Sequence, residues 1–434
     1  MQDDDLVRLA SIAFVLMSSW AAVSAALSVT SGRQLFSAAH VVSWIIWFFH
    51  AVPAMAIMIF GTPNYAYSPF RDAAQDLTVG LLYYGFMIGV TFAIHSYTIR
   101  TKRCAPLDVT PQQTEALKWA SLACLAIAFC LIVIKSNIWL YADYGAFSSA
   151  TPNTTIDSEL REIHGFVIVL SVLSVVFIGV WAILLQHHHA LAGYWTTLCA
   201  VMIVASWIHG KRTLVALSLV FFLIVFTRAL KTSLVVRALM AAVIAAGFFA
   251  YSSWYQQQRG LHDVSTYESH LINYSREHSV RMAIHAELRG TPILEWRGQS
   301  FVSMATLPVP RSIWESKPWP YAVYATCHAL GVNPPRSLGW GLTTSILEEV
   351  IANTGWIGLL LGPISLIMLC AMVDRHPMLF VRWLGAICIG LLLVVQFSAF
   401  ALLHVLYIAL AVITSRQNAQ HSMTAKTAQV DSRV

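Results

Sequence analysis

Helix-length runs of apolar residues recur along nearly the whole chain, from 6–29 near its start to 399–414 near its end. A helix needs roughly 20 apolar residues to cross the hydrocarbon of a bilayer, and in lipid only a helix or a closed barrel satisfies its own backbone hydrogen bonds. Runs of this length read as transmembrane helices and exclude a barrel. Hydrophobic residues make up 57% of the 434 positions and charged residues only 11%, which excludes a soluble globule.

Eleven spans follow from the pattern: 6–29, 41–60, 77–99, 117–134, 166–185, 191–208, 214–229, 234–251, 350–373, 379–397 and 399–414. The seventh and the last two are short or closely spaced, so the count lies between ten and twelve. The expected architecture is an all-α polytopic membrane protein. Residues 1–251 form an N-terminal bundle, 252–349 a large polar loop, 350–414 the C-terminal spans, and 415–434 a polar tail.

Basic residues are retained on the cytoplasmic side of a membrane. With the N-terminus outside, the cytoplasmic segments hold thirteen, among them Arg33, Arg100, Lys102, Arg103, Arg228, Lys231, Arg375, Arg382 and Arg416. The opposite short loops hold Arg8, Arg71, Lys135, Arg161, Lys211 and Arg212, and Asp3, Asp4 and Asp5 share that face. The large loop then lies outside and the C-terminus inside. An acidic N-terminal stretch also argues against a cleaved signal peptide. The net charge of +6 follows topology and not nucleic-acid binding, for which no motif is present.

Of the seven cysteines, only Cys327 reaches the large loop, so neither a disulfide framework nor a zinc cluster is expected. His187, His188 and His189 lie on a short turn, where adjacent side chains diverge and no second cluster joins them. The loop 136–163 carries Asp143, Asp157, Glu159 and Glu162 and is either a lid or a solvated rim.

Inside the large loop, Ser265 followed by Glu268 is a capping-box pattern, and Gly290 with Pro292 is a stop signal, which together predict one helix over 266–289. His270, Tyr274, His278, Arg281, His285 and Arg289 fall within an arc of roughly 100° on it. That stripe is either a solvated face or a binding face.

Two later stretches carry a family resemblance. Pro310-Arg311-Ser312-Ile313-Trp314-Glu315-Ser316-Lys317-Pro318 resembles a PR-x-(I/L)-W-x-x-KP stretch, and Glu349 with Asn353, Gly355 and Gly358 resembles an E-x-x-x-N-x-G-x-x-G helix start. The pairing is similar to that of the Wzy-type O-antigen and oligosaccharide repeat-unit polymerases. Gly210-Lys211-Arg212 resembles the G-x-R turn of such proteins, with Thr213 where a glycine is common. The resemblance implies a GT-C-like helical bundle that transfers a growing glycan from undecaprenyl diphosphate to a new lipid-linked repeat unit at the periplasmic face of the inner membrane. It also implies a lipid-linked donor without nucleotide sugar, cofactor or metal, and a chain-length regulator as a possible partner.

The chemistry of the residues agrees. Displacing a lipid diphosphate calls for cations at the membrane surface, and the arginine fork matches phosphate bidentately. Lys211, Arg212, Arg311, Lys317, Arg281 and Arg289 are the candidates, with Trp314 and Asn353 as further substrate contacts. An acceptor hydroxyl needs a group to take its proton, and Glu349 and His328 are the candidates. Ser345-x-x-Glu348 makes a capping box, so Glu348 has a structural explanation. Trp314, Trp319, Tyr321, Tyr324 and Trp340 either stack on sugar rings or anchor the loop at the interface. Two other functions fit many spans: an O-antigen ligase, which shares donor and arginines, and a transporter or flippase, which usually carries mid-membrane polar groups and internal repeats not evident here.

Overall fold

The computed structural model describes residues 3–30, 37–100, 111–135, 138–141, 158–185, 192–229, 234–258, 266–307, 309–338 and 341–415. Most of these residues are helical, and no strand occurs among them. In chain order the helices are α1 (Asp3–Thr30), α2 (Ala38–Phe60), α3 (Ser68–Gln75), α4 (Leu77–Arg100), α5 (Pro111–Lys135), α6 (Ser158–Leu184), α7 (Ala192–His209), α8 (Arg212–Ala229) and α9 (Leu234–Gln258). They continue as α10 (Thr266–Tyr274), α11 (Glu277–Leu288), α12 (Gln299–Ala305), α13 (Tyr321–Leu330), α14 (Ile346–Thr354), α15 (Gly358–Asp374), α16 (Leu379–Val394) and α17 (Phe397–Ser415).

The expected apolar runs are largely helical, with 350–373 divided between α14 and α15 and α16 ending at Val394. Among the described residues, seven helices are long and apolar enough to cross a membrane: Asp4–Val29, Ala38–Phe60, Leu77–Arg100, Pro111–Ile134, Ile163–Leu184, Ile346–Asp374 and Phe397–Ser415. Arg212–Val225, Leu239–Trp254 and Leu379–Val394 are apolar but shorter. Leu16, Trp20, Phe92 and Leu360 point outward and exposed from these helices, an arrangement stable against lipid and not against water. The chain is a multi-pass membrane protein.

It divides into two compact units. The first comprises Met1–Pro106, Val264–Pro377 and Val381–Val434; the second comprises Leu107–Asp263 with Met378–Phe380. In the first unit, α1 and α15 both pack on α4, and Phe14 sits against the rings of Tyr83 and Tyr84 at 6.5 and 6.0 Å. Asp374, at the end of α15, accepts from the Ala38 amide at 2.8 Å and so neutralises an orphan donor at the start of α2.

A π-helical turn, Trp47–Ala51, interrupts α2. Its cause is in the sequence: Pro53 has no amide hydrogen, so the Phe49 carbonyl lacks its usual donor four residues on. The Arg276 amide takes that place at 3.0 Å. This bond, together with Ser275 Oγ accepting from the Glu277 amide at 3.0 Å, breaks the helix expected over 266–289 into α10 and α11. Ser265 lies outside the described residues, and the Glu268 carboxylate accepts from the Ala66 amide at 2.8 Å.

The break changes what α11 does. It packs on α3, α4 and α14, and buries His278 and Arg281 in the first unit. The expected cationic stripe is therefore not a single solvated face. Arg281 pairs with Glu277 at 2.7 Å and lies 5.2 and 5.0 Å from the ring centroids of Tyr83 and Tyr84. His278 meets Phe70 edge-on, with centroids 4.6 Å apart. Burial first, then the charge of Arg276, pushes its pKa down to about 3, so it stays neutral.

In the second unit, α5 and α6 are joined by a reciprocal pair: Ser121 Oγ donates to the Ser174 carbonyl at 2.8 Å, and Ser174 Oγ to that of Ser121 at 3.0 Å. Small hydroxyl residues suit helix pairs in lipid because they allow close approach and hydrogen-bond across it. Gly179 of α6 has the same logic, since a Cβ there would stand 2.5 Å from the Phe221 ring.

Candidate functional site

The second resembling stretch forms α14 and the bend after it. Ser345 opens the helix, its amide donating to Glu348 Oε1 at 2.7 Å and its hydroxyl to Oε2 at 2.5 Å. Glu348 is wholly buried and spends both oxygens on the cap, as the spacing predicts. One residue on, 100° around the helix, Glu349 turns elsewhere and accepts from Ser300 Oγ of α12 at 2.6 Å.

Asn353, one turn later, binds the same partner. Its Nδ2 donates to Ser300 Oγ and to the Glu349 carbonyl, both at 2.7 Å, and its Oδ1 accepts from the Ser300 amide at 3.3 Å. The Asn353 amide side chain thus fixes α12 on α14 and orients the hydroxyl that reaches Glu349. The glycines have backbone reasons. Gly355 ends α14 at φ 65° and ψ −144°, a conformation essentially restricted to glycine. A Cβ on Gly358 would stand 2.7 Å from Ile351 Cα, so the bend into α15 requires a hydrogen there. Arg297 closes the bend, donating to the Ala352 carbonyl at 2.9 Å and forking onto Glu287 at 2.6 and 2.5 Å.

The first resembling stretch follows α12 as a turn folded on its own cations. Lys317 Nζ donates to the carbonyls of Leu307 and Val309 at 3.2 and 2.9 Å. Arg311 donates to the Pro318 carbonyl at 3.0 Å and stacks on Trp319 at 3.3 Å. Trp314 Nε1 donates to Ser316 Oγ at 2.9 Å. Arg311 and Lys317 have structural work here before any ligand arrives.

Glu349 lines a small cleft together with residues that flank the 310–318 turn. Leu307 and Pro320, which bracket the 310–318 turn, line it together with Glu349, Tyr321, Ser303, Met304 and Gln396-Phe397-Ser398 at the start of α17. No Lys or Arg lines it. No family model, curated protein or solved structure matches this chain. The chemistry of the cleft is therefore read from its own residues.

Other candidates lie apart from the cleft lining. His328 is half-buried on α13, its pKa lowered by burial and then by His285, and the neighbouring Cys327 Sγ is engaged with the Arg336 backbone at 3.3 and 3.4 Å, not with His328. Arg289 is exposed and pairs with Asp76 at 2.8 Å. Lys211 and Arg212 belong to the second unit, at a turn where Gly210 adopts φ 65° and Arg212 Nη1 donates to Ser252 Oγ at 3.2 Å. Among the described residues no cluster of His, Cys, Asp or Glu is suited to hold a metal ion. His187–His189, Trp340, the tail from Arg416, and loop residues 142–157 lie outside the described residues.

Sequence reading missed Ser300, Tyr321 as a cleft residue, and Gln396. Ser300 lies 49 residues before Glu349, and no local pattern marks a hydroxyl whose importance comes from a contact across that separation.

Proposed function

We propose that this protein is a lipid-linked glycan polymerase, transferring a growing chain from undecaprenyl diphosphate to a new lipid-linked repeat unit at the periplasmic face of the bacterial inner membrane. The observation that carries the reading is the small cleft where Glu349 lies with Leu307 and Pro320, the residues that flank the PR-x-I-W-x-x-KP turn. Glu349 is the proposed proton acceptor for the acceptor hydroxyl, with Ser300 and Asn353 orienting it. In the first unit Arg311, Arg289 and Lys317 remain proposed diphosphate ligands, because the fork of arginine stabilises the departing oxygens, and Lys211 and Arg212 of the second unit remain separate candidates. Arg281 leaves this set, since Glu277 and two tyrosine faces already hold its guanidinium. The finer architecture belongs to the proposal: eleven crossings in a GT-C-like bundle, N-terminus and residues 252–349 outside, C-terminus inside.

Purified protein incubated with lipid-linked repeat units should extend them into polymer on the carrier lipid. Transfer only onto lipid A core would identify a ligase, and neither product would remove the transferase reading. Arg311→Lys and Arg212→Lys keep the charge but lose the fork, so polymer should shorten at normal expression. Full-length polymer from both would take them out of the mechanism. Reporter fusions test the topology: alkaline phosphatase should be active when fused at Gly290 and inactive at Arg416, and the opposite result would invert the orientation.

A further inference from the structure

The outward face of α14 and α15 changes abruptly at the bend between them. Residues 347–353 of α14 are all buried, packed on α11 and α12, and α11 carries Glu277, Arg281 and Glu287, which are costly in hydrocarbon. From the bend onward the chain is open on one side. Trp356, Ile357, Leu360, Ile364, Met368 and Met372 are 45–69% exposed and recur at helical spacing along one face.

Length decides what covers that stripe. α14 and α15 together make a run of 29 residues, roughly 43 Å if straight, which is too long for a hydrocarbon core of about 30 Å. Between residues 356 and 374 the rise is about 27 Å, which fits. Exposed Arg375 follows at the far end, where a basic side chain reaches headgroups. The exposed stripe of α1, from Leu6 to Leu27, gives about 32 Å by the same rule. The near end carries a second exposed indole. Trp296 is 47% exposed, and its neighbour Arg297 donates to the Ala352 carbonyl at 2.9 Å, which ties that loop to the bend. Tryptophans collect where hydrocarbon gives way to headgroups, because the ring is apolar and its N–H needs a polar partner.

We infer that the bilayer boundary runs along the Gly355–Ile357 bend, with Trp296 and Trp356 as anchors at headgroup level, α15 as the membrane crossing and α14 outside the hydrocarbon. The placement rests on the apolar stripe and not on the polymerase reading. Combined with that reading, it sets Glu349, roughly two helical turns before Trp356, on the headgroup side, where the diphosphate of a carrier lipid lies. The full-length protein in phosphatidylcholine nanodiscs, which leave both faces open to reagent, tests it through single thiols introduced by Trp296→Cys, Trp356→Cys, Ile364→Cys and Met368→Cys. A charged, water-soluble maleimide reacts with a thiolate in water and not with a thiol in hydrocarbon, and the labelling of unsubstituted protein is subtracted. The thiols at 296 and 356 should label about 10-fold faster or more than those at 364 and 368, and all four should label alike once the disc is dissolved in SDS. Protection at 296 or 356 equal to that at 364, or labelling at 364 as fast as at 356, would overturn the boundary. Cryo-electron microscopy of the unsubstituted protein in the same discs needs no variant: lipid density should end at the level of Trp296 and Trp356, and density rising to the level of Ile346 would overturn the placement. Neither measurement reads polymer synthesis, so failure of the polymerase reading would leave this boundary standing, and failure of the boundary would leave that reading to its own assay.

Discussion

Glu349→Gln should slow polymerisation by about 10²–10⁴-fold, the usual contribution of a general base, while the protein stays folded. The amide is nearly isosteric and its oxygen still accepts from Ser300 Oγ, so the α12–α14 junction survives; what is lost is the ability to take a proton. Glu348→Gln is the control. Its oxygen still accepts from the Ser345 amide, and its NH₂ can donate to Ser345 Oγ, so the cap persists at a cost of about 1 kcal/mol or less and polymerisation continues. The assay is polymer formation from lipid-linked repeat units beside thermal unfolding in detergent. Wild-type rates from Glu349→Gln would move proton acceptance to another group, His328 being next.

The second large effect is on stability. Arg281→Met should destabilise the protein by about 3–5 kcal/mol, because it leaves the Glu277 carboxylate buried without its cation. The Tyr84 hydroxyl, at 3.3 Å, would still reach Glu277. Arg289→Met breaks an exposed pair with Asp76 and should cost within about 1 kcal/mol. The double variant Glu277→Leu with Arg281→Met removes both charges together and should recover much of the loss, since apolar replacement of a buried pair is often near neutral. Unfolding in denaturant provides the comparison. A normally stable Arg281→Met that fails to bind lipid diphosphate would return Arg281 to the ligand set.

These two residues also mark how far local pattern reaches. Glu348 and Glu349 are adjacent, and the capping spacing from Ser345 assigns the first to structure and leaves the second free, which is the division the geometry has. Arg281 shows the opposite. Its place on a polar arc at helical spacing reads as a wet or ligand-binding face, yet the arc is divided by a break at Ser275-Arg276 and its middle faces inward. The break depends on the Phe49 carbonyl, freed by Pro53 more than two hundred residues earlier in the chain.

What the chain determines on its own is whatever short-range periodicity and transfer energetics control. Twenty-residue apolar runs must become helices in lipid, because an unpaired backbone there is too costly, so the helix positions and the multi-pass character follow from sequence alone. The cap at Ser345 and the bend at Gly355 and Gly358 are local in the same sense. The tertiary structure alone decides which polar groups meet. Ser300 on Glu349, Arg276 on Phe49, and Tyr321 beside a carboxylate in a cleft all join residues distant in sequence. Each such contact depends on how helices pack in three dimensions, and no spacing along the chain encodes it.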